Sequence, residues 1–198
     1  MNGLGLLPIK SKDITKNMGD WKTISKKDIY ENAWIEVSHH EVINPSGNNG
    51  IYGVVHFHHK AIGIIAVDEQ LNIVLVGQDR YPLNAYSWEI PEGGCPIGED
   101  NLSAAKRELK EETGLEASQW EPLCKFHLSN SVTDEEGQLF LARNLKAGNS
   151  SPEETENLSV KRVTLEEALL QIDRGEITDA ITIMGIYKLA LMKSNGKL

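Results

Sequence analysis

The 198-residue chain suits one domain with a sizeable extension, or a small pair, and its 40% apolar content suffices for a packed core. A formal charge of −9 argues against long nucleic acids as partners, because phosphate backbones are held by clustered Lys and Arg. No run approaches the roughly 20 apolar residues of a membrane helix, and the opening MNGLGLLPIK is too short and weakly charged for a secretion signal, so a cytoplasmic protein without membrane partners is expected.

Residues 1–20 are polar, lack clear periodicity and read as an arm. From Trp21 to His59 the segments WKTISKK, AWIEVSHHEVI and IYGVVHFHH are rich in β-branched and aromatic residues, with INPSGNNG supplying turn residues between the last two. They predict two or three antiparallel strands. His39, His40, His56, His58 and His59 fall here, yet no cysteine or compact second pair completes a tetrahedral zinc set. AIGIIAV (61–67) and NIVLVGQ (72–78) are continuous apolar runs separated by DEQL, which fits two buried, central strands joined by a turn. A loop around Arg80 follows, and Trp88-Glu-Ile-Pro-Glu92 leads into the most informative window.

That window is Gly93 to Leu115, GGCPIGEDNLSAAKRELKEETGL. Its second half predicts a helix: Asp100 or Asn101 can cap it, Leu102, Ala105 and Leu109 recur at helical spacing, and Gly114 can close it in the left-handed conformation. Glu108, Glu111 and Glu112 stand at i, i+3 and i+4, so their carboxylates crowd one face of a last turn whose dipole is already negative. Each costs roughly a few tenths of a kcal/mol there. A bound divalent cation reverses the sign of that effect, and hard oxygen ligands suit Mg²⁺ or Mn²⁺. Arg107 can pair with Glu111 or with Glu99 and fix the geometry. An acidic chain can hold a pyrophosphate when metal ions lie between the two sets of negative charge.

From Gly93, five residues lead to Glu99 and seven more to Arg107-Glu108-Leu109, followed by Lys110, Glu111-Glu112, Thr113 and Gly114-Leu115. This resembles the Nudix box at every defined position. The resemblance implies a hydrolase that cleaves a nucleoside diphosphate linked to another group, using Mg²⁺ or Mn²⁺. It implies an α/β fold, the Nudix α/β/α sandwich with a mixed sheet between helices. It also implies metal ligands at Glu108, Glu111, Glu112 and the carbonyl of Glu92, with Glu111 and Arg107 as catalytic candidates.

Similarity to ADP-ribose and nucleotide-sugar pyrophosphatases runs over roughly residues 21–192. It implies that residues 21–59 are an amino-terminal antiparallel β-element building a homodimer, that 60–198 are the hydrolase domain, and that Arg80 contacts substrate. WEPLCKFHLSNS and QLFLARNL predict two further strands around TDEEG. ADP-ribose pyrophosphatases usually show Ser-Pro-Gly before an acidic stretch, whereas this chain has Ser129-Asn130-Ser131 before Asp134-Glu135. Asn130 in place of proline favours a broader nucleotide-sugar preference, and Glu135 is a substrate-binding candidate. In the resembling enzymes a loop glutamate before the last strand acts as base or orients the attacking water. Glu154 aligns best, with Glu153 and Glu156 as substitutes.

Thr164-Leu-Glu-Glu167 is a capping box opening a helix through Leu169 and Ile172 that Gly175 ends, and a last helix runs from about Asp179 to Met192. The expected substrates are nucleoside diphosphate sugars such as ADP-ribose and GDP-mannose, converted to a nucleoside monophosphate and a sugar phosphate. A housecleaning nucleoside triphosphatase on the same fold and a sensor that has lost catalysis are the alternatives. The intact box counts against the sensor.

Overall fold

The β-branched and aromatic stretch after Asp20 builds an antiparallel sheet in the order β1 (Asn17–Met18), β2 (Trp21–Glu31), β3 (Ile35–Ile43) and β4 (Asn49–Phe57). The computed structural model describes residues 17–18, 20–148 and 158–198, so most of the arm lies outside it. Register shifts in β2 between Thr23 and Ser25 and between Asp28 and Tyr30 interrupt the two-residue alternation, which explains why the sequence there alternates imperfectly. The β3–β4 turn closes on Asn44, whose side chain accepts from the amides of Ser46 and Asn48 at 3.0 Å each, while Gly47 takes a φ of +84°.

This sheet and the segment His127–Glu135 form one compact unit. The segment adds a parallel bridge between Val55 and Thr133, and Asp134 accepts from the Phe57 amide at 3.0 Å and pairs with His56 Nδ1. His40 Nε2 lies 2.9 Å from Ser38 Oγ.

The second unit, His59–Phe126 with Glu136–Leu198, holds β5 (His59–Ala66), β6 (Ile73–Arg80), β7 (Ala85–Glu89), β8 (Glu92–Pro96), α1 (Asn101–Thr113), β9 (Leu115–His127), β10 (Glu136–Ala147), β11 (Ser159–Val163), α2 (Leu165–Asp173) and α3 (Ala180–Ser194). The two apolar runs do form strands joined by a turn, where Asp68 accepts from the amides of Gln70 and Asn72. They then part company. β5 enters the sheet β8-β5-β10-β9 and β6 the sheet β11-β6-β7, with the Val67–Ile73 bridge between them. β10 runs parallel to β5 and β8 antiparallel to it, so the first of these sheets is mixed.

From Ala61 onward β5 is apolar, because helices cover both its faces. Ile62, Ile64 and Ala66 join Ala104, Ala105 and Leu109 of α1 in a buried cluster, onto which Leu115 also packs. Gly63 and Ile65 face the other way, toward α3: a Cβ added at Gly185 would lie 2.7 Å from Ile65. The result is a mixed sheet between helices, with the antiparallel amino-terminal sheet as a separate element. Asp100 caps α1 by accepting from the Ser103 amide, Gly114 closes it at φ +68°, and Thr164 and Asp179 cap α2 and α3. Among the described residues no helix is long and apolar enough to cross a membrane.

The contact between β5 and α3 tolerates no extra carbon. A Cβ at Gly63 would stand 2.5 Å from Ile181 Cγ2 and 3.1 Å from Leu139 Cδ1. Gly63→Ala is expected to destabilise the protein by roughly 1–3 kcal/mol through overpacking, read as a lower urea midpoint at constant slope. An unchanged midpoint would show that this packing is not tight.

Candidate active site

Two arginines gather the carboxylates of the larger unit. The first, Arg107, points from α1 toward β8. Its Nη1 donates to Glu108 Oε1 at 2.6 Å and Glu111 Oε2 at 3.0 Å; its Nη2 donates to Glu99 Oε2 at 3.1 Å and to the Gly94 carbonyl at 2.9 Å. Both pairings open to it from sequence are thus made together. Burial alone would lower its pKa, but the hydrogen bonds and charges of Glu99, Glu108 and Glu111 outweigh it and push the pKa up.

The box glycine has a spatial reason. A Cβ at Gly93 would run into the Glu108 carboxylate, so only glycine lets β8 and α1 approach this closely. Glu112, 5% exposed, accepts from the Glu92 amide at 3.1 Å and so ties the last turn of α1 to the residue before the box.

The second arginine, Arg80, ends β6. Its Nε lies 3.0 Å from each oxygen of Glu89, and its Nη2 donates to Glu89 Oε2 and, at 3.1 Å, to Glu92 Oε1. Glu92 Oε2 is buried and has no hydrogen-bond partner among the described residues. Ligand atoms of Glu89, Glu92 and Asp179 lie within 4.8 Å of one another. Burial, then the negative charges of Asp179 and Glu89, hold the Glu92 carboxyl well above the usual range, and Arg80 opposes them. Asp179 accepts from the Thr182 amide at 2.7 Å, and Thr182 Oγ1 accepts from the Ile90 amide at 2.9 Å, so the first turn of α3 is fastened to the strand that delivers Glu89.

The structure therefore brings together Arg107, Glu108, Glu111, Glu112 and Glu92 within one unit, and sets Arg80 against Glu92. Glu135 belongs to the other unit, where burial and the neighbouring Asp134 raise its pKa. Glu154, with Glu153 and Glu156, lies outside the described residues. Sequence reasoning missed Glu89 and Asp179. An acidic residue between Trp88 and Ile90, close to Arg80 in sequence, was the available signal for Glu89; Asp179 carried only its capping signal.

Glu89, Glu92 and Asp179 offer a divalent cation oxygen donors only, and one oxygen of Glu92 is buried without a partner among the described residues, a combination that hard cations such as Mg²⁺ or Mn²⁺ satisfy. Glu108, Glu111 and Glu112 are not in that group: Arg107 holds the first two, and Glu112 accepts from the Glu92 amide.

Comparison with known proteins agrees with this architecture. Residues 57–182 match the NUDIX domain, and residues 21–55 match the nucleoside diphosphate sugar hydrolase N-terminal domain. The chain is 34% identical over 175 residues to the methanol dehydrogenase activator of Bacillus methanolicus, and equally to an ADP-ribose pyrophosphatase of Bacillus subtilis. Each alignment covers 87% of this chain and 94% of the relative. The chain belongs to the Nudix family of hydrolases. A solved structure described as an ADP compounds hydrolase shares the fold, with a TM-score of 0.82 over 92% of this chain and 100% of its own, at 18% identity.

The perturbed Glu92 makes a signed prediction. Its folded pKa lies well above the ordinary carboxyl value of 4.5, so the folded state binds more protons than the unfolded state, and stability falls as pH rises from about that value through the folded pKa. In metal-free protein, Glu92→Gln should remove this contribution and gain stability relative to wild type as pH rises. Urea unfolding in EDTA across pH 4 to 8 measures the difference; parallel curves for the two proteins would refute the assignment.

Proposed function

We propose that the protein hydrolyses the pyrophosphate of nucleoside diphosphate sugars, ADP-ribose first among them and GDP-mannose next, to a nucleoside monophosphate and a sugar phosphate. The observation that carries this reading is the convergence of Glu99, Glu108 and Glu111 on Arg107, with Glu112 bonded to the residue before Gly93. The names of the relatives support ADP-ribose, and Asn130 in place of proline supports a broader preference.

Water adds to one phosphorus and the bond from that phosphorus to the bridging oxygen breaks, leaving a phosphate on each fragment. Glu108, Glu111, Glu112 and the carbonyl of Glu92 would hold Mg²⁺ or Mn²⁺, which when bound neutralises the pyrophosphate and lowers the pKa of a water. Arg107 holds Glu99, Glu108 and Glu111 together and oriented before substrate arrives. Arg80 takes a phosphate oxygen, and Glu154 accepts or directs the proton of the attacking water. Glu135 stays a substrate-binding candidate on resemblance alone.

We assign residues 21–59 to homodimer formation. Ile29, Tyr30 and Ile51 of the amino-terminal sheet, and Trp34 in its β2–β3 connection, are all more than half exposed, which suits a surface covered by a second copy. A stable monomer in sedimentation would remove that assignment. Both cysteines are free, which fits the reducing cytoplasm.

The test is a Mg²⁺-dependent panel of ADP-ribose, GDP-mannose and nucleoside triphosphates with products separated by chromatography. AMP and ribose phosphate from ADP-ribose are expected; preferential release of pyrophosphate from triphosphates would replace this reading with a housecleaning one. Glu112→Gln should lower kcat/KM by on the order of a hundredfold or more with an unchanged circular dichroism spectrum. Normal turnover by that variant would sink the metal assignment.

A further inference from the structure

Glu89 shares the acidic group with Glu92 and Asp179 but has no step in the reaction above, yet it is 3% exposed and is the best-satisfied carboxylate near Arg80. In the β6–β7 register it stands opposite Val76, while Arg80 stands opposite Ala85. Val76 and Arg80 are four residues apart on one strand and share a face, so the Arg80 side chain folds back along the sheet to reach Glu89.

A guanidinium carries five N–H donors in a rigid fork. Every hydrogen bond that Arg80 makes among the described residues runs from Nε or Nη2, three to Glu89 and one to Glu92. The Nη1 edge is left for another acceptor, and the side chain is 34% exposed. Burying an ion pair is a weak source of stability, since desolvation offsets most of the attraction. Fixing a long side chain in one rotamer before a ligand binds is a use that does not suffer this cancellation.

We propose that Glu89 is a positioning residue, which grips one edge of the Arg80 guanidinium so that the Nη1 edge faces a phosphate oxygen of the substrate. The inference rests on the reading of Arg80 as a substrate contact. It adds that Arg80 depends on a particular carboxylate, and that Glu89 never touches substrate itself.

The experiment is a double-mutant cycle in steady-state kinetics with ADP-ribose and saturating Mg²⁺, on wild type, Arg80→Met, Glu89→Gln and the double variant. Glu89→Gln should raise KM roughly tenfold with a much smaller change in kcat, and should add nothing further in the Arg80→Met background. A purely structural Glu89 would shift thermal stability while leaving KM in place. If Glu89→Gln fails to fold, Glu89→Asp, which keeps the charge on a shorter arm, takes its place with the same expectation. Effects that multiply in the double variant, or an unchanged KM in the Glu89 variant, would overturn the proposal while leaving the functional reading intact. A wild type that does not turn over ADP-ribose, or an Arg80→Met variant with normal kcat/KM, would instead fail the reading beneath it and bring the proposal down with it.

Discussion

The guanidinium of Arg107 is the interaction on which the site depends. It lies one residue before Glu108 and four before Glu111 on α1, and it reaches across to Glu99 and the Gly94 carbonyl on the approach to the helix. Without a cation among them, carboxylates at this spacing would spread apart, since unlike charges hold and like charges repel most strongly where water is partly excluded. Arg107 supplies that cation permanently. Its reach also demands that β8 lie directly against α1, which glycine at 93 allows and which the shared packing of α1 and β8 on β5 enforces.

Arg80 repeats the device at the end of β6. It neutralises Glu89 and touches Glu92, but the charges of Glu89, Glu92 and Asp179 outnumber it. The protein thus keeps two arginine-centred clusters, joined by the hydrogen bond from the Glu92 amide to Glu112. In one cluster the arginine bonds all three carboxylates, and these retain partial exposure. The other is buried more deeply and has an oxygen that no donor among the described residues reaches. Desolvation raises the cost of unmatched charge, so the deeper cluster is where a change in local charge is felt most.

What the sequence made legible was local. Helix α1, its Asp100 cap and its Gly114 stop follow from residues within a few positions of one another, and so does the crowding of Glu108, Glu111 and Glu112. The apolar runs at 61–67 and 72–78 also announced themselves as buried strands, because a strand covered on both faces has no polar alternation to hide it. Their assignment to different sheets was not readable, for that depends on β10 and β11, far along the chain. β8 was missed for a related reason: Gly93, Gly94 and Pro96 are poor strand formers, and only pairing with β5 makes them extended. Glu89 and Asp179 meet because α3 folds onto the β5 face that Gly63 keeps open, a relation no sequence window contains.

The parallel pairing of β5 with β10 also bears on when the protein becomes competent. Ala61 pairs with Gly137, so β8, α1 and β9 all lie inside the loop that this pairing closes. Non-local strand pairing of this kind is slow to nucleate, and a short helix rich in charge is marginal by itself in water. During synthesis the box is complete as a sequence once Leu115 has been made, but β5 lacks its central neighbour until the segment Gly137–Ala142 has left the ribosome. The glutamates are therefore translated early and brought into register late. A nascent chain cut short before β10 carries the entire signature without the scaffold that gives it a shape.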